Sequence, residues 1–288
     1  MPVSRKTAFV VLLWVATLAS AHATETSGEP PVKVLAAGSL TGALTAVIRL
    51  YKEKTGVEVQ AEFGPAGLLR ERIEGGERPD IFASANMAHP QALADKGLAT
   101  VPVVMARNRI CARALPSFGL TTANLFDRML DPKTVGIGTS TPKADPGGDY
   151  AWMVFARAEQ ARPGAGKVIE SKARQLVGGS HNPPVPAGKD AMSWFFEQHR
   201  IDISLGYCSS RQTAGAAAAV TSPGGTPDGA FTTVELPPEL AVKADYGMSV
   251  LGHREAALRF ALFVMSPEAQ RLIGLYGFTP VAQSGSEH

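Results

Sequence analysis

An α/β fold of parallel strands flanked by helices is what this sequence predicts, on three observations. Strand-like and helix-like patterns alternate along the chain, which favours parallel pairing with right-handed crossovers. Several apolar runs lead straight into a tight turn of small residues and then a helical pattern. Glycine is frequent, at 29 of 288 residues, and aromatic side chains make up only 7%, so layers can lie close together. In such sheets a ligand sits at the carboxyl ends of the strands.

The first unit is Val32-Lys33-Val34-Leu35-Ala36-Ala37-Gly38-Ser39-Leu40-Thr41. Its strand ends in a small-residue turn, and Leu40, Leu44, Val47 and Tyr51 then recur at helix spacing as far as Gly56. A strand feeding a helix leaves free N–H groups and the positive end of the helix dipole facing the strand's carboxyl edge. With the Ser39 hydroxyl beside them, these groups can seat an anion without a charged side chain. Taken alone, Ser39 or Thr41 reads first as an ordinary helix cap, since caps are common.

Residues 57–63 alternate apolar and polar as a strand with one covered face. Gly64-Pro65-Ala66-Gly67 turns the chain, and residues 68–74 read as a short helix stopped at Gly75-Gly76. Residues 80–85 form a continuous apolar strand pattern, and a helix over 89–94 carries Pro90 in its first turn. Residues 101–106 and 109–114 read as a crossover into a second domain, followed by a short helix over 125–130 and a strand over 134–138.

The stretch Thr139 to Tyr150 contains Asp145-Pro146-Gly147-Gly148 and opens a helix with Tyr150, Val154, Phe155 and Ala158 at core spacing. Gly147 and Gly148 bring bare backbone to a helix start, a second place where an anion fits. By itself it is also an Asp-Pro-Gly turn capped by Asp145 or Asp149. A proline-rich loop follows at 183–188, a helix over 189–199, and an alternating strand over 201–208 that delivers Tyr207 at its end. Residues 212–230 are small and broken by Gly and Pro, as in an exposed loop. Strand-like runs over 231–236 and 241–251, the second returning toward the first domain, precede closing helices over 256–265 and 267–275 and a frayed tail from 282.

The beginning of the chain reads as a secretory leader. Arg5 and Lys6 precede an apolar run over 8–19, too short to span a bilayer, and Ala21-His22-Ala23 is a cleavage pattern, so residues 1–23 are expected to be removed. That takes two positive charges from a net +2 and leaves about 265 residues with none, so no electrostatic case exists for nucleic acid. The two cysteines, Cys111 and Cys208, stand far apart in sequence; in an oxidising compartment they can form a disulfide or remain two buried thiols. No histidine stands at zinc-ligand spacing from either. There is no Gly-x-Ser-x-Gly elbow, P-loop, His-Glu-x-x-His motif or Rossmann fingerprint, which removes the usual sequence support for an enzyme. A secreted serine hydrolase using Ser39 or Ser140 is the enzymatic alternative.

Five segments, in order across nearly the whole mature chain, carry a resemblance. They are Ala-Ala-Gly-Ser-Leu-Thr at 36–41, Phe-Gly-Pro-Ala-Gly at 63–67 with Arg-Ile-Glu-Gly-Gly behind it, and Pro-Asp-Ile-Phe-Ala-Ser-Ala at 79–85. Asp-Pro-Gly-Gly-Asp-Tyr at 145–150 and Phe-Val-Met-Ser-Pro-Glu-Ala-Gln with Tyr-Gly-Phe near the end complete the set. Together they resemble the periplasmic molybdate-binding proteins of ABC importers.

The resemblance implies the two-lobed type II periplasmic-binding-protein fold, each lobe a mostly parallel sheet flanked by helices, with the ligand cleft between them. The expected division is 31–107 for lobe 1, 108–246 for lobe 2, and 247–281 for the return to lobe 1. It also implies a tetrahedral oxyanion, molybdate or tungstate, held by Ser39, Ala66, Gly147, Lys189 and Tyr207, with Asp190 beside Lys189. The metal enters only within that oxyanion, and no cofactor is expected. Where the family has a second serine this chain has Ala66, so one hydroxyl donor is lost, its N–H remains, and Ser84 is a candidate replacement. The expected protein is a periplasmic monomer that passes its cargo to an ABC permease in the inner membrane. Another anion or a small organic acid is the alternative ligand.

Overall fold

The computed structural model describes residues 30–189, 191–211 and 231–281. The leader, Asp190, the 212–230 stretch and the tail lie outside the described residues.

The chain opens with β1 (Val32–Ala37), a single 3-10 turn over Gly38–Leu40, and α1 (Thr41–Thr55). Gly56 ends α1 at φ 73°, the left-handed conformation that suits glycine at a helix end. Next come β2 (Val59–Gly64), α2 (Ala66–Glu74), β3 (Ile81–Ser84) and α3 (Ala88–Asp95). β1 pairs in parallel with both β2 and β3. The two runs expected as a crossover form one 12-residue strand, β4 (Val103–Ala114), with an irregularity between Val104 and Ala106. Beyond it lie α4 (Leu125–Leu130), β5 (Ile137–Ser140), α5 (Pro146–Ala161), α6 (Ala165–Ser171), β6 (Ala173–Val177), α7 (Ala191–Glu197) and β7 (Ile203–Tyr207). The sequence reading assigns nothing to α6 and β6. β6 sits at the sheet edge with only Leu176 of its residues buried, so it carries no strong alternation to read. The chain closes with β8 (Thr232–Glu235), β9 (Lys243–Val250), α8 (Glu255–Val264) and α9 (Pro267–Leu275).

The strand order is β2-β1-β3-β9-β4-β7-β5-β6, with β8 also paired to β4. Parallel pairing holds at the two ends, among β1, β2 and β3 and among β5, β6 and β7. The centre departs from the mostly parallel expectation. There β9 is antiparallel to β3 and β4, and β4 is antiparallel to β7 and β8. The reason is the path: β4 and β9 carry the chain out of one half and back into it, so they run in opposite directions side by side. β4 changes partners along its length, from β9 over Val103–Arg109 to β7 and β8 from Ile110 onward. Arg107 also exchanges backbone hydrogen bonds with Thr279, which ties the last segment to the same strand.

Buried side chains from nearly every element form one large apolar cluster, and Leu176, Phe195, Phe196 and Ile201 form a smaller one under α7. Two buried polar side chains tie the layers together. Asp80 accepts from the Lys33 amide and from Arg254, both at 2.8 Å, joining β1 and β3 to the segment before α8. Gln270, fully buried in α9, donates to the Met105 and Val264 carbonyls and accepts from the Val281 amide. A polar group at such depth is stable only when its partners are supplied. Among the described residues no helix is long and apolar enough to cross a membrane.

Candidate functional site

The carboxyl ends of β1, β2, β5 and β7 bring three helix starts and several hydroxyls toward one place. Ser39 follows β1 directly and is half-buried. Its Oγ lies 2.9 Å from the hydroxyl of Tyr246 on β9, which is fully buried. Burial raises the Tyr246 phenol above its ordinary value, against the Ser39, Asn108 and Tyr207 side chains, which favour its charged form. Asn108 in turn donates to Ser209 Oγ at 2.8 Å. The rings form a ladder: Tyr150 to Tyr207 at 6.2 Å, Tyr207 to Tyr246 at 5.5 Å, and Tyr246 to Phe278 at 5.2 Å between centroids.

Ala66 is the first residue of α2 and is 1% exposed. Its neighbour Gly67 donates its N–H to the Ala144 carbonyl at 2.9 Å. The approach is so close that a Cβ on Gly67 would stand 2.1 Å from the Lys143 carbonyl oxygen. The start of α2 therefore touches the loop that leads into α5. Tyr150 of α5 makes a second link, donating to the Ala85 carbonyl just after β3 at 3.1 Å.

Gly147 stands at the start of α5, where a Cβ would meet Ser140 Oγ at 3.1 Å and the Tyr207 ring at 3.7 Å. Its N–H donates to Asp145 Oδ1 at 3.2 Å, so the Asp145 cap holds this amide. Burial pushes the Asp145 carboxyl above the usual range, against hydrogen bonds from Ser140 and Gly147 that favour its charged form. Tyr207 is half-buried with its hydroxyl oxygen enclosed. Burial raises its pKa, and the neighbouring Tyr246, Asp145 and Tyr150 add to the rise. Burial likewise raises Tyr150 and Tyr246, so all three phenols are neutral donors at ordinary pH.

Ser39, Gly147 and Tyr207 thus belong to one contact network, and Ala66 adjoins it through Gly67. Lys189 is tied elsewhere: it is exposed, its amide donates to the Pro186 carbonyl, and its ammonium lies 3.5 Å from Glu197. Ser84 is buried, and its hydroxyl donates to Asn86 Oδ1. Cys111 on β4 and Cys208 just after β7 are joined, with an S–S distance of 2.00 Å. Sequence reasoning passes over Tyr246 and Asn108. The alternation Ala244, Tyr246, Met248 marks Tyr246 as a core residue, and no local motif reveals that its hydroxyl meets Ser39. Among the described residues no group of three or more His, Cys, Asp or Glu is placed to hold a metal ion.

Comparison with known proteins bears on the whole chain. Residues 32–279 match the family described as bacterial extracellular solute-binding protein. An uncharacterized protein of Pasteurella multocida is 32% identical over 249 residues, covering 86% of this chain and 98% of its own. The molybdate-binding protein ModA of Escherichia coli is 23% identical over 260 residues, covering 87% and 90%. Among solved structures, the Azotobacter vinelandii periplasmic molybdate-binding protein superposes with a TM-score of 0.63 at 15% identity, covering 87% of this chain and 100% of its own. The sulfate-binding protein SubI of Mycobacterium tuberculosis gives 0.67 at 16%, covering 88% of each. PEB3 with bound L-phospholactate gives 0.63 at 17%, covering 86% and 99%. These likenesses establish the type II periplasmic-binding-protein fold.

Proposed function

This chain belongs to the bacterial extracellular solute-binding protein family, and on that premise we propose that it captures a tetrahedral oxyanion, molybdate or tungstate, for an ABC importer. The observation that carries the reading is the convergence of neutral donors. A half-buried Ser39 at a helix start is backed by buried phenol hydroxyls, and the starts of α2 and α5 meet across the Gly67–Ala144 contact. Helix starts offer N–H groups without intrahelical partners, and the dipole favours negative charge there. Neutral donors can satisfy an oxyanion and still release it, as delivery to a permease requires.

The seat takes Ser39 and the Ala66 amide from one half of the sheet, and Gly147 and Tyr207 from the other. The Gly147 amide joins when the Asp145 cap yields it. The proposed division is 31–107 for one lobe, 108–246 for the other and 247–281 for the return, with closure about the β4 and β9 crossings. The protein acts as a monomer in the periplasm after loss of residues 1–23. Lys189 contributes only if the segment around it turns inward on binding.

A second reading rests on Asp145. A carboxylate beside Gly147 repels a dianion but accepts from a ligand hydroxyl, which favours a hydroxylated organic acid or a protonated oxyanion. Isothermal titration with molybdate, tungstate, sulfate and phosphate separates the two. Heat with molybdate or tungstate, and weaker or no heat with phosphate, supports the first. Binding of phosphate alone contradicts it. Ligand-induced thermal stabilisation without turnover of ester substrates separates either from a hydrolase.

A further inference from the structure

The segment that leads into α5 meets the first half of the sheet at two places, through hydrogen bonds of opposite direction. At one, the Gly67 amide of α2 donates to the Ala144 carbonyl at 2.9 Å. At the other, the Tyr150 hydroxyl of α5 donates to the Ala85 carbonyl at 3.1 Å. A carbonyl oxygen can only accept, so both directions are fixed by chemistry. Ala85 lies past the last paired residue of β3 and is 1% exposed. A carbonyl at that depth requires a donor, and Tyr150 supplies one.

The two contact points on the α5 side are braced as one piece. Asp149 Oδ1 accepts from the Lys143 amide at 2.8 Å, the Asp145 amide donates to the Thr141 carbonyl, and the Asp145 side chain caps α5. Lys143 stands at φ 67°, a conformation that a lysine keeps only where its surroundings hold it. The Ala144 carbonyl and the Tyr150 hydroxyl therefore move together. The Tyr150 ring also lies edge-on to the ring of Tyr207, at 6.2 Å between centroids. Its hydroxyl thus reaches across to β3 while its ring packs on a proposed ligand residue.

We propose that Tyr150 is a positioning residue for closure: its hydroxyl latches α5 to the end of β3, so that Ala66 and Tyr207 face one anion together. The inference rests on the oxyanion reading and its division of the chain near residue 107, and it adds a residue that touches no ligand. Without the hydroxyl, the Ala85 carbonyl loses its donor in the closed form, whereas on opening it meets water. The latch governs how long the seat stays shut and not which anion it prefers.

The test compares Tyr150→Phe with the unaltered protein by calorimetry with molybdate, tungstate and sulfate, and by dissociation rates. Each anion that binds is expected to bind about tenfold more weakly, through faster dissociation. Unchanged affinity, or a loss confined to one anion, overturns the latch. The Gly67 amide supplies a readout that needs no ligand. As the second residue of α2 it has no acceptor within the helix, so the Ala144 carbonyl protects it from exchange. In free Tyr150→Phe this amide is expected to exchange with solvent about tenfold faster by nuclear magnetic resonance, and an unchanged rate overturns the latch. If none of the three anions binds the unaltered protein, the oxyanion reading fails and Gly67 exchange alone decides the latch. If they bind and Gly67 exchange is unmoved by the substitution, that reading stands and the latch falls. Should Tyr150→Phe fail to fold, isotope-labelled tyrosine in the unaltered protein gives the exchange rate of the Tyr150 hydroxyl proton. It is expected to track Gly67 across a temperature series, and a hydroxyl that exchanges independently of Gly67 overturns the latch.

Discussion

His89 is 5% exposed, and burial together with the Arg70 guanidinium holds its pKa below the ordinary histidine value, against the opposing pull of Asp149 and Glu74. The unfolded chain therefore takes up a proton at higher pH than the folded one. This contribution to stability is full above the ordinary value of about 6.5 and is lost as pH falls toward the folded value. The melting temperature of His89→Gln is expected to depend less on pH between about 7 and 5 than that of the unaltered protein. Parallel curves contradict this. At Ala66 the missing hydroxyl can be put back. Ala66→Ser should keep or tighten oxyanion binding, gaining on the order of 1 kcal/mol if the new hydroxyl reaches the ligand. A tenfold loss by calorimetry shows that the start of α2 does not face the ligand. Ser39, Gly147 and Tyr207 were legible as candidates because each ends a strand or starts a helix. Tyr246 was not: the Ser39–Tyr246 hydrogen bond joins residues 207 positions apart.

Between elements, the tightest approach is that of α2 to the loop before α5. Gly67→Ala places a methyl group 2.1 Å from the Lys143 carbonyl oxygen, where a real Cβ cannot stand. The variant is expected to hold the two segments apart and to weaken anion binding more than it lowers the melting temperature of the free protein. Unchanged affinity contradicts the proposed closure. The disulfide ties β4 to the end of β7 across a sequence separation of 97. Replacing both cysteines by alanine is expected to lower unfolding free energy by roughly 2–4 kcal/mol in urea titration. An unchanged midpoint contradicts that. The helices were readable because their burial is periodic, as in α5 with Tyr150, Val154, Phe155 and Ala158 buried, and the inner strands because they are apolar throughout, as in β3. β6 lacked that pattern at the sheet edge. The antiparallel centre was unreadable for a different reason, since pairing direction depends on where β9 returns and not on its own residues.

At the scale of the whole molecule, the family rests on residues 32–279 and the fold on superpositions covering most of the chain. Proteins of this fold bind molybdate, sulfate or phospholactate, as their names state, so architecture does not choose the ligand. On the proposed reading, the choice lies in which donors face the ligand and in the Asp145 carboxyl beside Gly147. The central claim is that neutral groups from both halves of the sheet hold one oxyanion. Crystals grown with tungstate test it most directly, because anomalous scattering locates tungsten without assumption. The account predicts one strong peak within hydrogen-bonding reach of Ser39 Oγ and the Ala66 amide, facing Tyr207. A peak on an outer surface, with the space beside Ser39 empty, contradicts it.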